Sequence, residues 1–332
     1  MVKGLNPKHL IVISYEWPGD RSGHHIGCKS CLLIYEGVFS KIHYVCISDC
    51  SFDDEDIWEG SNIEWIHIPT VTEPKWLRFA RSLRHTLPAI CMKYWRVSNI
   101  VFDRIAEILS ACESDNCAAS IILEDVPLGC FLPIIRKRFP NVRVALNSHN
   151  FFTKAFEGLD SQGSFVERLA WKIEMLKIAR FEESVCRLAD RFWALSNQEA
   201  AEYERILSVH PNGVISRSVD TERFSAVERG NPSTVVHVGG ADLRKGKGLL
   251  KFIQHAWPSI RERVPEARLV LAGRDTECFN DRHFGIEALG FVDDDRDILG
   301  RGLIFLNAQS IGAGIQLKTI VAMLAGKALV ST

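Results

Sequence analysis

No apolar run in this chain of 332 residues approaches the ~18 that a helix needs to cross a bilayer. Met1-Val2-Lys3-Gly4 leads into a polar stretch, unlike a secretory leader. Both observations point to a cytoplasmic protein. Excess charge is missing as well: 40 Lys and Arg stand against 41 Asp and Glu, for a formal net charge of -1. A dedicated nucleic-acid binder would be strongly basic, so that class is excluded. The ten cysteines form no disulfide framework, and most sit in apolar segments (Cys46, Cys91, Cys130, Cys186), as reduced core thiols do. Cys28-x2-Cys31 with Cys46-x3-Cys50 approaches a zinc-ribbon spacing. The first pair falls on a helical pattern, however, and Cys46 inside a strand, where convergence on an ion would disrupt the core. No metal site is expected. A dinucleotide fingerprint is lacking too, because Gly312-x-Gly314 has no third glycine three residues on and no acidic residue at the required distance.

What is present is strand and helix patterns in alternation, which predicts an α/β chain with a doubly wound sheet in each half. In the first half, His9–Tyr15 (HLIVISY) reads as a central parallel strand, followed by a glycine-bearing loop with Ser22 and Gly23 and a helix through Tyr35. Further strands are expected at Ile42–Ser48, Ile63–Ile68, Ser120–Glu124 and Val142–Leu146. Phe165–Leu188 is the longest helical stretch, with Phe165, Leu169, Ile173, Leu176, Phe181, Val185 and Leu188 at core-like spacings. Ser196 suits the cap of the helix after it. Residues 216–233 are polar and irregular and read as a linker between domains 1–215 and 234–332. In the second domain, strands are expected at Val235–Val238, Ala267–Gly273, Ile286–Val292 and Leu303–Asn307, with a short helix from Leu317 to Ala325 closed by Gly326.

Several places suit a ligand. A glycine loop between strand and helix offers backbone N–H groups and a helix N-terminus to an anion, which fits both Gly23 and Gly312-Ala313-Gly314. Arg244 and Lys245 stand beside glycines after a strand, as a pyrophosphate site requires. Glu124 and Asp125 end one strand and His149 follows another, at the edge where open α/β sheets bind ligands. The plainer readings are a cap near Pro127 for the acids and a packed core side chain for the histidine. Residues 75–96 are basic and aromatic, with Arg78, Arg81 and Arg84 recurring every three residues on one helix face. That face is either a basic helix rim beside a cleft or solvent, or a peripheral contact with the inner face of a membrane.

The closing stretch, GAGIQLKTIVAMLAGKALVST, resembles the donor-side segment of GT-B glycosyltransferases of the large retaining family 4, the glycosyl transferases group 1. Gly312, Gly314, Lys318, Ala322, Met323, Gly326, Val330 and Thr332 match the family pattern. Ala313 and Val321 stand where the family commonly carries two glutamates, the second of which contacts the donor's ribose. Lys245-Gly246 matches the family's Lys-Gly, while Gly240 occupies the place of its arginine and Arg244 can substitute. Ser22 and Gly23 match a family loop near the donor phosphates and the acceptor, with His24 in place of a further glycine.

The resemblance implies two Rossmann-like domains facing a cleft, the second incomplete because the chain stops at Thr332 just after a strand. It implies a nucleoside-diphosphate sugar as donor substrate, with no cofactor and no metal. Arg244, Lys245, Lys318 and the N–H groups of Gly312, Ala313 and Gly314 would hold its phosphates, with the loop at Gly23 nearby. His149 would lie against the transferred sugar as the catalytic candidate. The acceptor would be a glycan, a lipid or another small molecule, as in polysaccharide biosynthesis. Two functions follow: a retaining, metal-independent glycosyltransferase, or a degenerate GT-B-like protein or fragment without turnover. Ala313, Val321, Gly240 and the short C-terminus favour the second.

Overall fold

The computed structural model describes residues 8–19, 23–50, 62–70, 73–157, 165–241, 246–308 and 316–331. The chain divides into two compact units, Met1–Arg217 and Ser218–Thr332.

The first unit contains strands β1 (Lys8–Ser14), β2 (Lys41–Ser48), β3 (Ile63–Pro69), β4 (Ala118–Glu124), β5 (Arg143–Asn147), β6 (Arg191–Ala194) and β7 (Gly213–Val214). They form one sheet in the order β3-β2-β1-β4-β5-β6-β7, with every pairing parallel. Around it run α1 (Gly23–Glu36), α2 (Lys75–Ser82), α3 (Ala89–Trp95), α4 (Ser98–Ser114), α5 (Leu132–Arg138), α6 (Phe152–Ala155), α7 (Phe165–Leu188) and α8 (Asn197–Leu207), with a 3-10 turn over Val126–Phe131. The apolar run of β1 is buried on both faces. Ile11 and Ile13 pack with Val101, Phe102 and Ile105 of α4, and Leu10 and Val12 with Cys31, Leu32 and Tyr35 of α1. This is the alternation of a pleated strand read twice, once for each layer of helices.

Two expectations fail in this unit. The helix α7 has the expected span, but Phe165, Leu169 and Leu176 are 73%, 50% and 60% exposed, while Glu174 and Glu182 are buried. Helix starts need their free N–H groups satisfied, and α7 turns these carboxylates inward for that purpose. Glu174 takes the Ala89 N–H that opens α3 and the Ser82 hydroxyl, and Glu182 takes the N–H groups that open α6. The single helix face carrying Arg78, Arg81 and Arg84 does not form either, since α2 stops at Ser82. Arg81 and Arg96 instead converge on Glu73, at 2.5 and 3.0 Å. Ser196 caps α8 by accepting the Glu199 N–H at 3.1 Å, as expected.

The second unit contains α9 (Thr221–Ser225), β8 (Asn231–Val238), α10 (Gly246–Lys251), α11 (Trp257–Arg263), β9 (Arg268–Ala272), β10 (Ile286–Ala288), α12 (Asp295–Leu299), β11 (Gly302–Asn307), α13 (Leu317–Leu324) and β12 (Ala328–Ser331). Its sheet is also parallel, in the order β10-β9-β8-β11-β12. The short helix α9 lies in the stretch read as linker. Asp220 caps it, and Phe224 packs into the core of the second unit. Neighbouring residues of β9 again serve opposite faces: Val270 and Ala272 enter one core, Leu269 and Leu271 the other. Both sheets therefore reverse their order beside the first strand of the unit, between β1 and β4 and between β8 and β11. Ligands of open α/β sheets bind outside the carboxyl ends of the strands at such a reversal.

Candidate functional site

The carboxyl edge of the first sheet carries Glu124-Asp125 at the end of β4 and Asn147-Ser148-His149 at the end of β5, all buried. Glu124 Oε2 lies 2.6 Å from His149 Nε2 and accepts from Asn147 Nδ2 at 2.9 Å, while Oε1 accepts the Tyr35 hydroxyl at 2.5 Å. Burial and the adjacent carboxylate push the Tyr35 hydroxyl well above its ordinary range, so it stays a donor. An ionised carboxylate only accepts. His149 therefore presents an Nε2–H to Glu124. The flanking thiols are inert: burial pushes Cys28 up to about 12 and Cys31 well above the usual thiol range.

Asp125 holds φ at 96°, a left-handed conformation that costs a non-glycine residue on the order of 1–3 kcal/mol. Its surroundings impose it. Oδ1 accepts the N–H groups of Val126 (2.9 Å) and His149 (3.1 Å), Oδ2 accepts the Tyr15 hydroxyl (2.6 Å), and its own N–H donates to Asn147 O at 2.8 Å. The chain after His149 is tied down by carboxylates as well. Glu199 accepts from Phe151 N (3.3 Å), and Glu182 accepts from Phe152 N (3.0 Å), Thr153 N (2.7 Å), Thr153 Oγ1 (2.6 Å) and the Tyr203 hydroxyl (2.7 Å). Burial still outweighs these donors and pushes the Glu182 carboxyl up to about 7. A cation completes the edge. Arg217 donates to His149 O at 3.1 Å, and its guanidinium lies against Gly27 of α1, where a Cβ would come within 2.8 Å of Cζ. A side chain at position 27 would push the guanidinium aside.

At the carboxyl edge of the second sheet the backbone itself comes forward. Gly239 has φ 149° and Gly273 has φ 134°; a Cβ on Gly273 would overlap Gly239 O. Without side chains the two strand ends pack main chain to main chain, with Gly239 N–H donating to Ala272 O at 2.8 Å and Ala241 N–H to Arg274 O at 2.8 Å. Lys318, in the first turn of α13, brings its Nζ to 3.2 Å from where a Gly239 Cβ would stand. Beneath them His237 is buried and donates from Nδ1 to Leu306 O at 2.8 Å. Burial first, and then the Lys318 cation, lower His237 to about 4, so it is neutral and leaves the positive charge to Lys318. Asn307 Nδ2 reaches Gln316 Oε1, Thr319 Oγ1 and Ser331 Oγ at 3.1–3.4 Å and fastens the start of α13 to the ends of β11 and β12. A cavity of about 430 Å³ lined by Arg223, Asp294, Arg296 and Arg301 lies beside the start of β11, at the other edge of the sheet.

Residues 232–332 match the family described as Glycosyl transferases group 1. No curated protein matches the sequence. Among solved structures the chain is similar to a trehalose-6-phosphate structure from E. coli bound with UDP-2-fluoro glucose, at 14% identity and TM-score 0.65, over 97% of this chain and 84% of that one. It is also similar to sucrose-phosphate synthase from Thermosynechococcus elongatus, at 13% identity and TM-score 0.62, over 98% and 81%. A third structure, HepE of Anabaena in complex with UDP, matches at 12% identity and TM-score 0.56, over 97% and 80%. The fold is GT-B.

Of the GT-B residues singled out from sequence, His149 and Lys318 each stand at a carboxyl edge, and Gly23 opens α1. Arg244, Lys245, Gly312, Ala313 and Gly314 lie outside the described residues. Sequence reasoning placed Glu124 at the edge but did not pair it with His149. The available signal was an acid closing an otherwise apolar strand, SIILE. His237 passed as part of a strand, although it too is the polar exception in TVVHV. Arg217 had no signal, standing in a polar stretch read as linker.

Proposed function

We propose that this chain is a retaining glycosyltransferase of family 4 that moves a sugar from a nucleoside-diphosphate sugar to a glycan, lipid-linked or other small acceptor without a divalent metal. The observation that carries the proposal is the carboxyl edge of the second unit. Bare glycine backbone and the Lys318 ammonium meet there, within the segment that matches Glycosyl transferases group 1. Charge develops on the departing diphosphate as the sugar leaves. Donors and cations already held in place stabilise that charge without reorganising, and in many such reactions this supplies most of the rate enhancement. Lys318 supplies the cation at the described edge; Arg244, Lys245 and the N–H groups of Gly312 to Gly314 would add to it. In the first unit Glu124 holds the His149 ring in one orientation beside the place proposed for the transferred sugar, and Arg217 adds a positive charge next to it. The solved relatives include one bound with UDP-2-fluoro glucose and one with UDP, which supports a uridine nucleotide as the first donor to try.

The second reading is a GT-B protein without turnover. Val321, in the place of the family's ribose-binding glutamate, is buried in the core of the second unit, which favours it. Incubating the purified chain with UDP-glucose in the presence of EDTA, and following UDP release and the anomer formed by NMR, separates the two. Release with retained configuration, lost in both Lys318→Ala and His149→Ala, supports the transferase. UDP binding without release in the native chain favours the second reading, and full activity in both variants overturns the proposed site.

A further inference from the structure

A cluster of soft donors lies at the opposite edge of the first sheet, where the strands begin. His9 stands near the start of β1, His43 on β2 and Cys112 in the last turn of α4. His9 Nδ1 is 3.2 Å from His43 Nε2 and 3.2 Å from Cys112 Sγ, and all three atoms lie within 4.8 Å of one another. Zinc bound tetrahedrally at about 2.05 Å from nitrogen and about 2.3 Å from sulfur sets its ligands ~3.3 Å apart for two nitrogens and ~3.6 Å for nitrogen and sulfur. The two shortest separations are within a few tenths of an ångström of those values.

Proton accounting points the same way. His43 Nδ1 lies 2.9 Å from Glu64 Oε2, its neighbour in register on β3. Donating its proton to that carboxylate leaves His43 Nε2 with a lone pair aimed at His9 Nδ1. One ring nitrogen of His9 then faces both this lone pair and the Cys112 sulfur, and a nitrogen has one in-plane site to offer. If it carries a proton it satisfies His43 and leaves the sulfur without an acceptor. If it carries a lone pair it suits the thiol and opposes His43. A cation in the middle satisfies all three. The carboxylate behind His43 is the partner that fixes the tautomer of metal-bound histidines. It also takes Lys41 Nζ at 3.1 Å.

We infer that His9 Nδ1, His43 Nε2 and the Cys112 thiolate form a binding site for a zinc-type divalent ion, with Glu64 as positioning residue. The group holds no fourth protein donor among the described residues, which leaves the last position to water, and half-buried His9 gives the route in. On binding, the Cys112 thiol loses its proton to solvent and its sulfur pair forms the metal bond, so one proton is released per ion. The ion ties together β1, β2 and α4, elements that supply its ligands from positions 34 and 103 residues away from His9. It lies at the opposite edge of the first sheet from His149 and does not depend on the proposed donor or sugar sites.

The test is Co(II) titration of the full purified chain after treatment with chelator. The expected result is one equivalent bound, a near-ultraviolet thiolate charge-transfer band, visible bands of tetrahedral intensity, and displacement of all of them by Zn(II). Cys112→Ser abolishes the charge-transfer band. Should that variant fail to fold, His9→Gln replaces it and abolishes tight binding. Glu64→Gln keeps the band and weakens affinity about 10- to 100-fold. A charge-transfer band that disappears in Cys31→Ser instead places the ion at the Cys31, Glu124 and His149 group, and any band that survives Cys112→Ser overturns the site. So does the absence of any band in the native chain.

Discussion

At the carboxyl edge of the first sheet the polar groups are buried carboxylates and their donors, Glu124, Asp125, Glu182 and Glu199, whereas at the same edge of the second they are glycine backbone and the ammonium of Lys318. Both edges are held at fixed geometry, by opposite means. The first is held by what its side chains bond to: the segment from His149 to Thr153 hangs by its N–H groups from three carboxylates on separate elements. The second is held by what Gly239 and Gly273 lack, since their main chains meet only because no Cβ intervenes. A bonded edge fails when a group is removed, and a bare edge fails when an atom is added.

The largest expected effect comes from removal at the first edge. Glu124→Ala takes the shared acceptor from His149, Asn147 and Tyr35 at once, at a buried position. Breaking such a pair costs about 3–5 kcal/mol, measured as a fall in the urea midpoint at unchanged slope. A loss under about 1 kcal/mol would mean that this edge is not held by its carboxylates.

Glu182 extends the comparison to pH. Its folded pKa, about 7, lies above the ordinary 4.5, so between those values the native state binds more protons than the unfolded one. Stability therefore falls as pH rises through that window, by roughly 3 kcal/mol at about 1.4 kcal/mol per unit. Glu182→Gln should flatten this part of the pH–stability curve, as followed by denaturant unfolding at a series of pH values. An unchanged slope would remove Glu182 as its source.

At the second edge the damaging change is an addition. Gly273→Ala forces a Cβ onto Gly239 O at a φ that L-residues resist, for a cost of about 1–3 kcal/mol. Thermal unfolding of this variant should show the loss, and a variant as stable as the native chain would break the contrast between the two edges. Lys318→Ala should do least to stability and most to the ligand. Its unfolding midpoint is expected within about 0.5 kcal/mol of native, while UDP binding by calorimetry weakens about tenfold, or about 1.4 kcal/mol. The reverse pattern, lost stability with intact binding, would make Lys318 a structural residue.

The doubly wound architecture was legible in the chain because each strand and helix announces itself within a short window. The continuous apolar run of β1, the 24-residue span of α7 and the Ser196 cap all form as their local patterns require. The ligand edges were legible in part, because chain order places His149, Glu124 and Lys318 after strands. What α7 does with its faces was not. Its apolar spacing reads as a core stripe, but the N–H groups opening α3 and α6 recruit Glu174 and Glu182 inward, and those starts lie far away along the chain.

Periodicity, capping residues and glycine loops depend on neighbours a few positions apart, so the sequence by itself determined most of the elements, the doubly wound arrangement of two sheets and the edges where chemistry belongs. Pairings between distant residues depend on register and on which face a side chain takes, and these are settled only when the sheets close. The tertiary structure alone therefore decided that Glu124 holds His149, that Arg217 lies over Gly27, that His237 underlies Lys318, and that His9, His43 and Cys112 converge on one point.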